Sequence, residues 1–184
     1  MKRTPTEPPV KLTEILQKWA GKTRFTVVFD SDADGAGFET FQTRLLHRSN
    51  LAFVGITQNN DVFGAYLNVT IDRISFCSFY DDPDHFIFSF NTNGRCRTPR
   101  RWFVKESRRH ETNGLIFSGN PAGYVKIGCP AGYIYMGPTR ADAYSWNVKL
   151  CYDRIDDDTL TGVANVDWSR PFTHYTRMLV LEWE

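Results

Sequence analysis

The sequence predicts a mainly β protein with flanking α-helices, arranged as a two-sheet antiparallel β-sandwich. Three observations predict it. Aromatic residues make up 15% of the chain, with 14 Phe, 8 Tyr and 5 Trp, and such side chains fit pleated, half-buried surfaces. Short apolar segments recur about every ten positions with turn residues between them, the rhythm of an antiparallel sandwich. At 184 residues the chain is long enough for one substantial core and short for two.

Composition narrows the class further. A hydrophobic content of 41% with 23% charged residues reads as globular rather than disordered. A net charge of +1 gives no global field toward nucleic acid or membrane, although a local patch can still act. No segment approaches the roughly 18 apolar residues of a membrane span, and "MKRTPTEPPV" lacks the apolar run of a signal peptide. A cytoplasmic protein is expected. Cys77, Cys96, Cys129 and Cys151 form no CxxC pair, and in an unsecreted chain they are expected as reduced, half-buried thiols.

Residues 1–10, with Pro5, Pro8 and Pro9, are expected to form a flexible tail, and residues 11–184 the single domain. Leu12, Ile15, Leu16 and Trp19 recur at i, i+3, i+4 and i+7, a helical stripe, with Thr13 as its cap and Gly21 as its stop. "RFTVVF" (24–29) reads as a strand, and Phe38, Phe41, Leu45 and Leu46 return to helical spacing that ends near His47. "LAFVGIT" (51–57) and "VFGAYLNVTI" (62–71) are strands joined by the hairpin signal "QNND". Gly64 within the second marks a bulge or a close backbone approach. "FIFSF" (86–90) is apolar on both faces, as a central strand should be. "RWFVK", "GLIFS", "YVKIG", "GYIYMG", "WNVKLCY" and "TRMLVLEWE" complete the strand set. The clusters Asp81-Asp82-Pro83-Asp84 and "IDDDTLTG" (155–162) read as a turn and a solvated loop.

Asp30, Asp32 and Asp34, in "VVFDSDADGAGF" (27–38), are the residues most suggestive of chemistry, and the weak candidates for a metal. Residues 30–35 match the opening of an EF-hand, but the twelfth position, which must supply a bidentate glutamate, is Phe41. A strand ending in Asp-x-Asp also resembles the haloacid-dehalogenase-like phosphatases, whose first Asp is the nucleophile, and "DADG" with "DPDHF" (82–86) resembles the DHH phosphoesterases. Both need a parallel α/β sheet that this chain lacks. The simpler reading is a strand turning into a helix, with Asp34-Gly35 as turn chemistry, Asp34 accepting from the first N–H groups of the helix and Glu39 at its positive end.

The basic run "GRCRTPRRWFVKESRRH" (94–110) gathers Arg95, Arg97, Arg100, Arg101, Lys105, Arg108 and Arg109 around Trp102 and Phe103. Arginine forks onto phosphates and carboxylates, and interleaved aromatics stack on bases. These residues are the candidate surface for nucleic acid or another acidic partner. On an extended segment, Arg100 and Trp102 take one face while Arg101, Phe103 and Lys105 take the other, which splits the cluster. An edge strand kept from edge-to-edge pairing by Arg and Lys explains the same residues. His47, His85, His110 and His174 show no zinc-binding spacing, and neither a nucleophile elbow nor a phosphate-cradling loop is found.

From about residue 11 to 184 the chain resembles a TLDc domain. "FDSDADG" falls where that family has a strand, small polar residues and Asp-Gly. "FETFQTRL" matches the helix after it, "DVFGAY" the F-G-G-Y-like strand with Ala65 at the second glycine, and "FIFSF" the F-L-F-x-L strand. "YVKIGCPAGYIYMG" corresponds to the glycine-rich strands and "MLVLEWE" to the terminal strand. Asp30 and Asp32 stand where other members commonly carry Ser or Thr, which marks a divergent member. The resemblance implies a two-sheet sandwich with flanking helices and a non-enzymatic binding or regulatory role without a cofactor. It also implies a link to oxidative-stress resistance and a protein partner, with the vacuolar proton pump as the family precedent.

Overall fold

The computed structural model describes residues 10–74, 79–92, 95, 96, 98–111, 114–118, 124–138, 144–160, 162 and 175–184. Helix α1 (Val10–Ala20) opens the described chain, and Gly21 ends it at φ 65°. Thr13 lies inside this helix rather than at its cap, because the helix already runs from Val10, three residues before it. Of the expected tail, residues 1–9 lie outside the described residues, and Val10 belongs to α1 instead. Strand β1 (Phe25–Asp30) runs into a single helical turn, α2 (Ser31–Asp34), and then α3 (Phe38–Leu45).

Strands β2 (Leu51–Thr57) and β3 (Val62–Leu67) form the expected hairpin. The second stops four residues short of the expected Ile71. Past Leu67 the backbone bonds elsewhere: Asn68 N–H donates to the Asp82 carboxylate at 2.7 Å, and Ile71 N–H to the Arg48 carbonyl at 2.8 Å. Then come β4 (Phe79–Asp81), β5 (Phe86–Asn91), β6 (Arg100–Phe103), β7 (Gly114–Ser118), β8 (Tyr124–Cys129), β9 (Gly132–Met136) and β10 (Tyr144–Trp146). A helical turn, α4 (Val148–Cys151), and the long β11 (Tyr175–Trp183) complete the order.

"WNVKLCY" is therefore not a strand. Asn147 takes φ 46°, which breaks the extended chain, and Tyr152 N–H donates to the Val148 carbonyl at 2.8 Å. Val148 and Cys151, three residues apart, are both buried by that turn. "IDDDTLTG" is not simply solvated either, because Ile155 and Leu160 enter the core and Asp157 is buried.

Two antiparallel sheets face each other. One has the order β1-β11-β2-β3-β5-β6 and the other β10-β9-β8-β7-β4. Between them lie Phe53, Phe63, Ile87 and Val180 from the larger sheet and Leu115, Phe117, Ile127 and Ile134 from the smaller, all at or near zero exposure. The outer face of the larger sheet is also apolar. Ala52, Val54, Phe86, Phe88, Leu179 and Leu181 form a second core with Leu12 and Leu16 of α1. That second layer is why "FIFSF" is apolar on both faces, and β5 sits between β3 and β6 as a central strand.

Gly64 answers to close approach. A Cβ there would overlap the Phe53 carbonyl and stand 2.8 Å from the Phe88 ring. Phe88 fills the space that the missing side chain leaves.

Candidate functional site

The acidic stretch is assembled by the end of β1. Asp30 is 1% exposed and has the extended backbone of an N-cap, its Oδ1 accepting from Asp32 N–H at 3.0 Å. The same carboxylate receives the Arg177 guanidinium as a fork, Nε to Oδ1 at 3.0 Å and Nη2 to Oδ2 at 2.6 Å. Such bidentate pairs are strong and geometrically specific. Arg177 lies on β11, so the fork ties the exit of β1 to its neighbour. The Asp30 carboxylate holds the Arg177 charge and raises its pKa. Ser31 adds a second tie, its Oγ accepting from Met178 N–H at 2.9 Å.

Asp34 does not cap α3. Its Oδ2 accepts from Asp30 N–H at 3.0 Å and its Oδ1 from Arg44 at 3.0 Å. Gly37 stands at the α3 N-cap without a side-chain bond, and the expected capping role belongs instead to Asp30 on α2. Gly35 does serve the turn, at φ 81°, a conformation that costs glycine little. Asp30 and Asp32 both face Arg177, Asp32 at 3.9 Å, while Asp34 pairs with Arg44. Among the described residues no cluster of three metal-ligating side chains occurs. Asp81, on β4 of the smaller sheet, belongs to a different layer from Asp30. The turn after it is built by Asp82, which is buried and accepts from Asn68 N–H and Asp84 N–H.

The basic run is spread over separate tasks. Arg95 reaches inward to buried Asp61 at 2.8 Å and donates to the Thr159 and Leu160 carbonyls at 3.1 and 3.2 Å. It thus joins the β2–β3 hairpin to the 156–160 loop. Arg97 lies outside the described residues. Strand β6 is an edge of the larger sheet, as the alternation of "RRWF" allows. Trp102 is buried in the core, its Nε1–H donating to the Arg154 carbonyl at 3.1 Å. Arg100 stacks over the Trp102 ring at 5.8 Å.

On the opposite face Arg101 donates to the Trp19 carbonyl at 2.6 Å and lies over Phe103 and Phe86 at 4.9 and 5.2 Å. It clips the end of α1 onto the edge strand. Lys105 donates to the Lys149 carbonyl at 2.6 Å. Arg108 pairs with Glu111 at 2.6 Å, and Arg109 pairs with Asp84 and, at 3.8 Å, with Glu106. The geometry converts one apparent patch into several internal ties with a thin cationic rim.

Two arrangements were invisible in the sequence. The first is a buried polar chain. His85 is fully buried; its Nδ1 lies 2.6 Å from the Asp82 carbonyl and its Nε2 2.7 Å from the Tyr152 hydroxyl. A carbonyl only accepts, so Nδ1–H donates to it and Nε2 accepts the Tyr152 O–H. Burial lowers the His85 pKa and raises that of Tyr152 well above the ordinary range. Cys129 and Cys151 are buried in the same core cluster as Tyr152. They are 22 positions apart in sequence, and only the packing of α4 onto the β8–β9 hairpin brings them into one cluster.

The second arrangement is the outer face of the smaller sheet. The register aligns Phe79, Ile116, Lys126 and Tyr135 across four strands. Phe79 is 59% exposed, the largest value among the exposed apolar side chains described. Lys126 lies 5.0 Å from the Tyr133 ring. Among the described residues no helix lies over this face as α1 lies over the larger sheet. Phe79 belongs to a three-residue strand too short to show periodicity, which is why sequence reasoning missed it.

Compared with known proteins, residues 7–164 match the family model described as the TLDc domain. No curated protein matches the chain. None of the described helices is long and apolar enough to cross a membrane.

Proposed function

The chain belongs to the TLDc domain family, and from that premise we propose that it is a non-enzymatic binding and regulatory module of that type, acting in the cytoplasm on a protein partner. The observation that carries this reading is the outer face of the smaller sheet, where Phe79 stands 59% exposed opposite Ile116, with Lys126 next to Ile116 on β8. An exposed aromatic ring on edge strand β4 with a cation two strands in suits a protein surface that offers an apolar contact and a nearby acidic group. The family precedent for such a partner is the vacuolar proton pump, and the family setting is oxidative stress.

The basic run supports the nucleic-acid reading less well. Arg95, Arg101 and Lys105 each donate to backbone carbonyls of the protein itself, and Trp102 is buried where no base can stack on it. A phosphoesterase built on Asp30, Asp32 and Asp34 is opposed by the Arg177 fork, which holds both Asp30 oxygens.

Affinity capture from the native cell, with and without nuclease, tests the proposal. The expected result is a protein partner whose recovery nuclease leaves unchanged. Recovery of nucleic acid, or of proteins lost on nuclease treatment, contradicts it.

A further inference from the structure

We propose that Thr98 is a phosphorylation site, the acceptor for a proline-directed protein kinase that reads the cations following it. The segment Thr98-Pro99-Arg100-Arg101 presents a hydroxyl, then a proline, then two guanidinium groups. A proline directly after the acceptor leaves no N–H to satisfy in the kinase cleft, and arginine beyond it pairs with acidic groups there. Thr98 is exposed and precedes β6. The ladder between β5 and β6 begins with Ser89 opposite Arg100, so Thr98 and Pro99 stand outside it. Proline biases the residue before it toward extended backbone, and Arg100 and Arg101 continue extended along an edge strand. A kinase binds its substrate as an extended chain, and this one is offered at the rim of the sheet.

The fold decides which side of Thr98 is readable. Arg95 stands three positions before it, the spacing that an arginine-directed kinase requires. Its guanidinium is committed inward, to buried Asp61 at 2.8 Å and to the Thr159 and Leu160 carbonyls at 3.1 and 3.2 Å. On the other side Arg100 is exposed over the Trp102 ring. Arg101 is half-buried and donates to the Trp19 carbonyl at 2.6 Å. That carbonyl belongs to the last turn of α1, where water can take the place of Arg101. The other Thr-Pro pair of the chain, Thr4-Pro5, has Glu7 where this segment has Arg101.

In the transfer, Thr98 Oγ1 attacks the γ-phosphorus of ATP. An O–P bond forms, the bond from that phosphorus to the β-phosphate oxygen breaks, and ADP leaves. The hydroxyl proton passes to a carboxylate of the kinase. The product carries about two negative charges and strong acceptor oxygens at Thr98. Arginine forks onto phosphate, so the modification offsets the charge of Arg100 and Arg101 at the start of β6. The site lies on the larger sheet, apart from the Phe79 face of the smaller one.

Incubation of the folded full chain with a cyclin-dependent kinase and magnesium ATP, followed by phosphopeptide mapping, tests this. The expected product carries its phosphate on Thr98, and Thr98→Ala loses that phosphate. A parallel incubation with an arginine-directed kinase is expected to transfer to Thr98 far more slowly. No phosphate on Thr98, phosphate on Thr4 in its place, or phosphate on Thr98 only after heating past the melting temperature overturns the proposal. An equal or faster rate at Thr98 with the arginine-directed kinase overturns it as well. Thr98 is exposed, so Thr98→Ala is expected to melt with wild type, and the wild-type mapping identifies the site without the variant.

Discussion

Asp30 shows how one side chain is settled by what faces it across a sheet. Its carboxylate caps α2 and holds Arg177 from β11, and almost none of it is exposed. Removing one partner of a buried pair leaves an uncompensated charge, which costs about 3–5 kcal/mol. Asp30→Ala is therefore expected to lower stability by about that much, read by urea denaturation. Asp32 is 3.9 Å from Arg177 and half-exposed, and Asp32→Ala is expected within about 0.5 kcal/mol of wild type. Equal losses in the two variants contradict this assignment. His85 carries a pH prediction at the same scale. Its folded pKa is lowered, so below the ordinary histidine value of about 6.5 the unfolded chain binds the proton that the folded chain refuses. Stability is then expected to fall as pH drops through that value, by up to about 1.4 kcal/mol per pH unit. The wild-type loss between about pH 6.5 and 5.5 should exceed that of His85→Asn, and parallel curves contradict the account.

Elements show which parts the sequence could announce. Gly64 and the strands β2 and β3 were legible, because two apolar runs joined by a short turn signal mark an antiparallel pair. Gly64→Ala is expected to destabilise by about 1–3 kcal/mol, since its methyl would meet the Phe53 carbonyl and the Phe88 ring; an unchanged melting temperature opposes that packing. The stripe Leu12–Leu16–Trp19 announced α1, and the double-sided "FIFSF" announced a central strand. The short elements were not legible. The α4 turn depends on Asn147 at positive φ, and β4 is held by its pairing with β7. Both are decided by tertiary contact rather than by local preference.

At the scale of the molecule, the two stretches that look most like chemistry are ties between elements far apart in the chain. Asp30–Arg177 joins β1 to β11, Asp61–Arg95 joins a hairpin to a loop, and Arg101 joins α1 to β6. Sequence spacing displayed these charges as runs, because neighbours in the chain were visible and partners across it were not. Asp30 and Arg177 are 147 positions apart. For the same reason the His85–Tyr152 contact and the Phe79 face were hidden: each is assembled from separate strands or turns. The family and the sandwich were legible from the order of short segments, which does not require knowing their partners.

The central claim is that the sheet face, and not the basic run, meets the partner. The most direct measurement is the captured yield of one protein partner by two variants matched to wild type in melting temperature, Phe79→Ser with Lys126→Glu and Arg100→Ser with Arg109→Ser. The account predicts loss of capture in the first and wild-type yield in the second. Wild-type yield in the first, or loss only in the second, would contradict it.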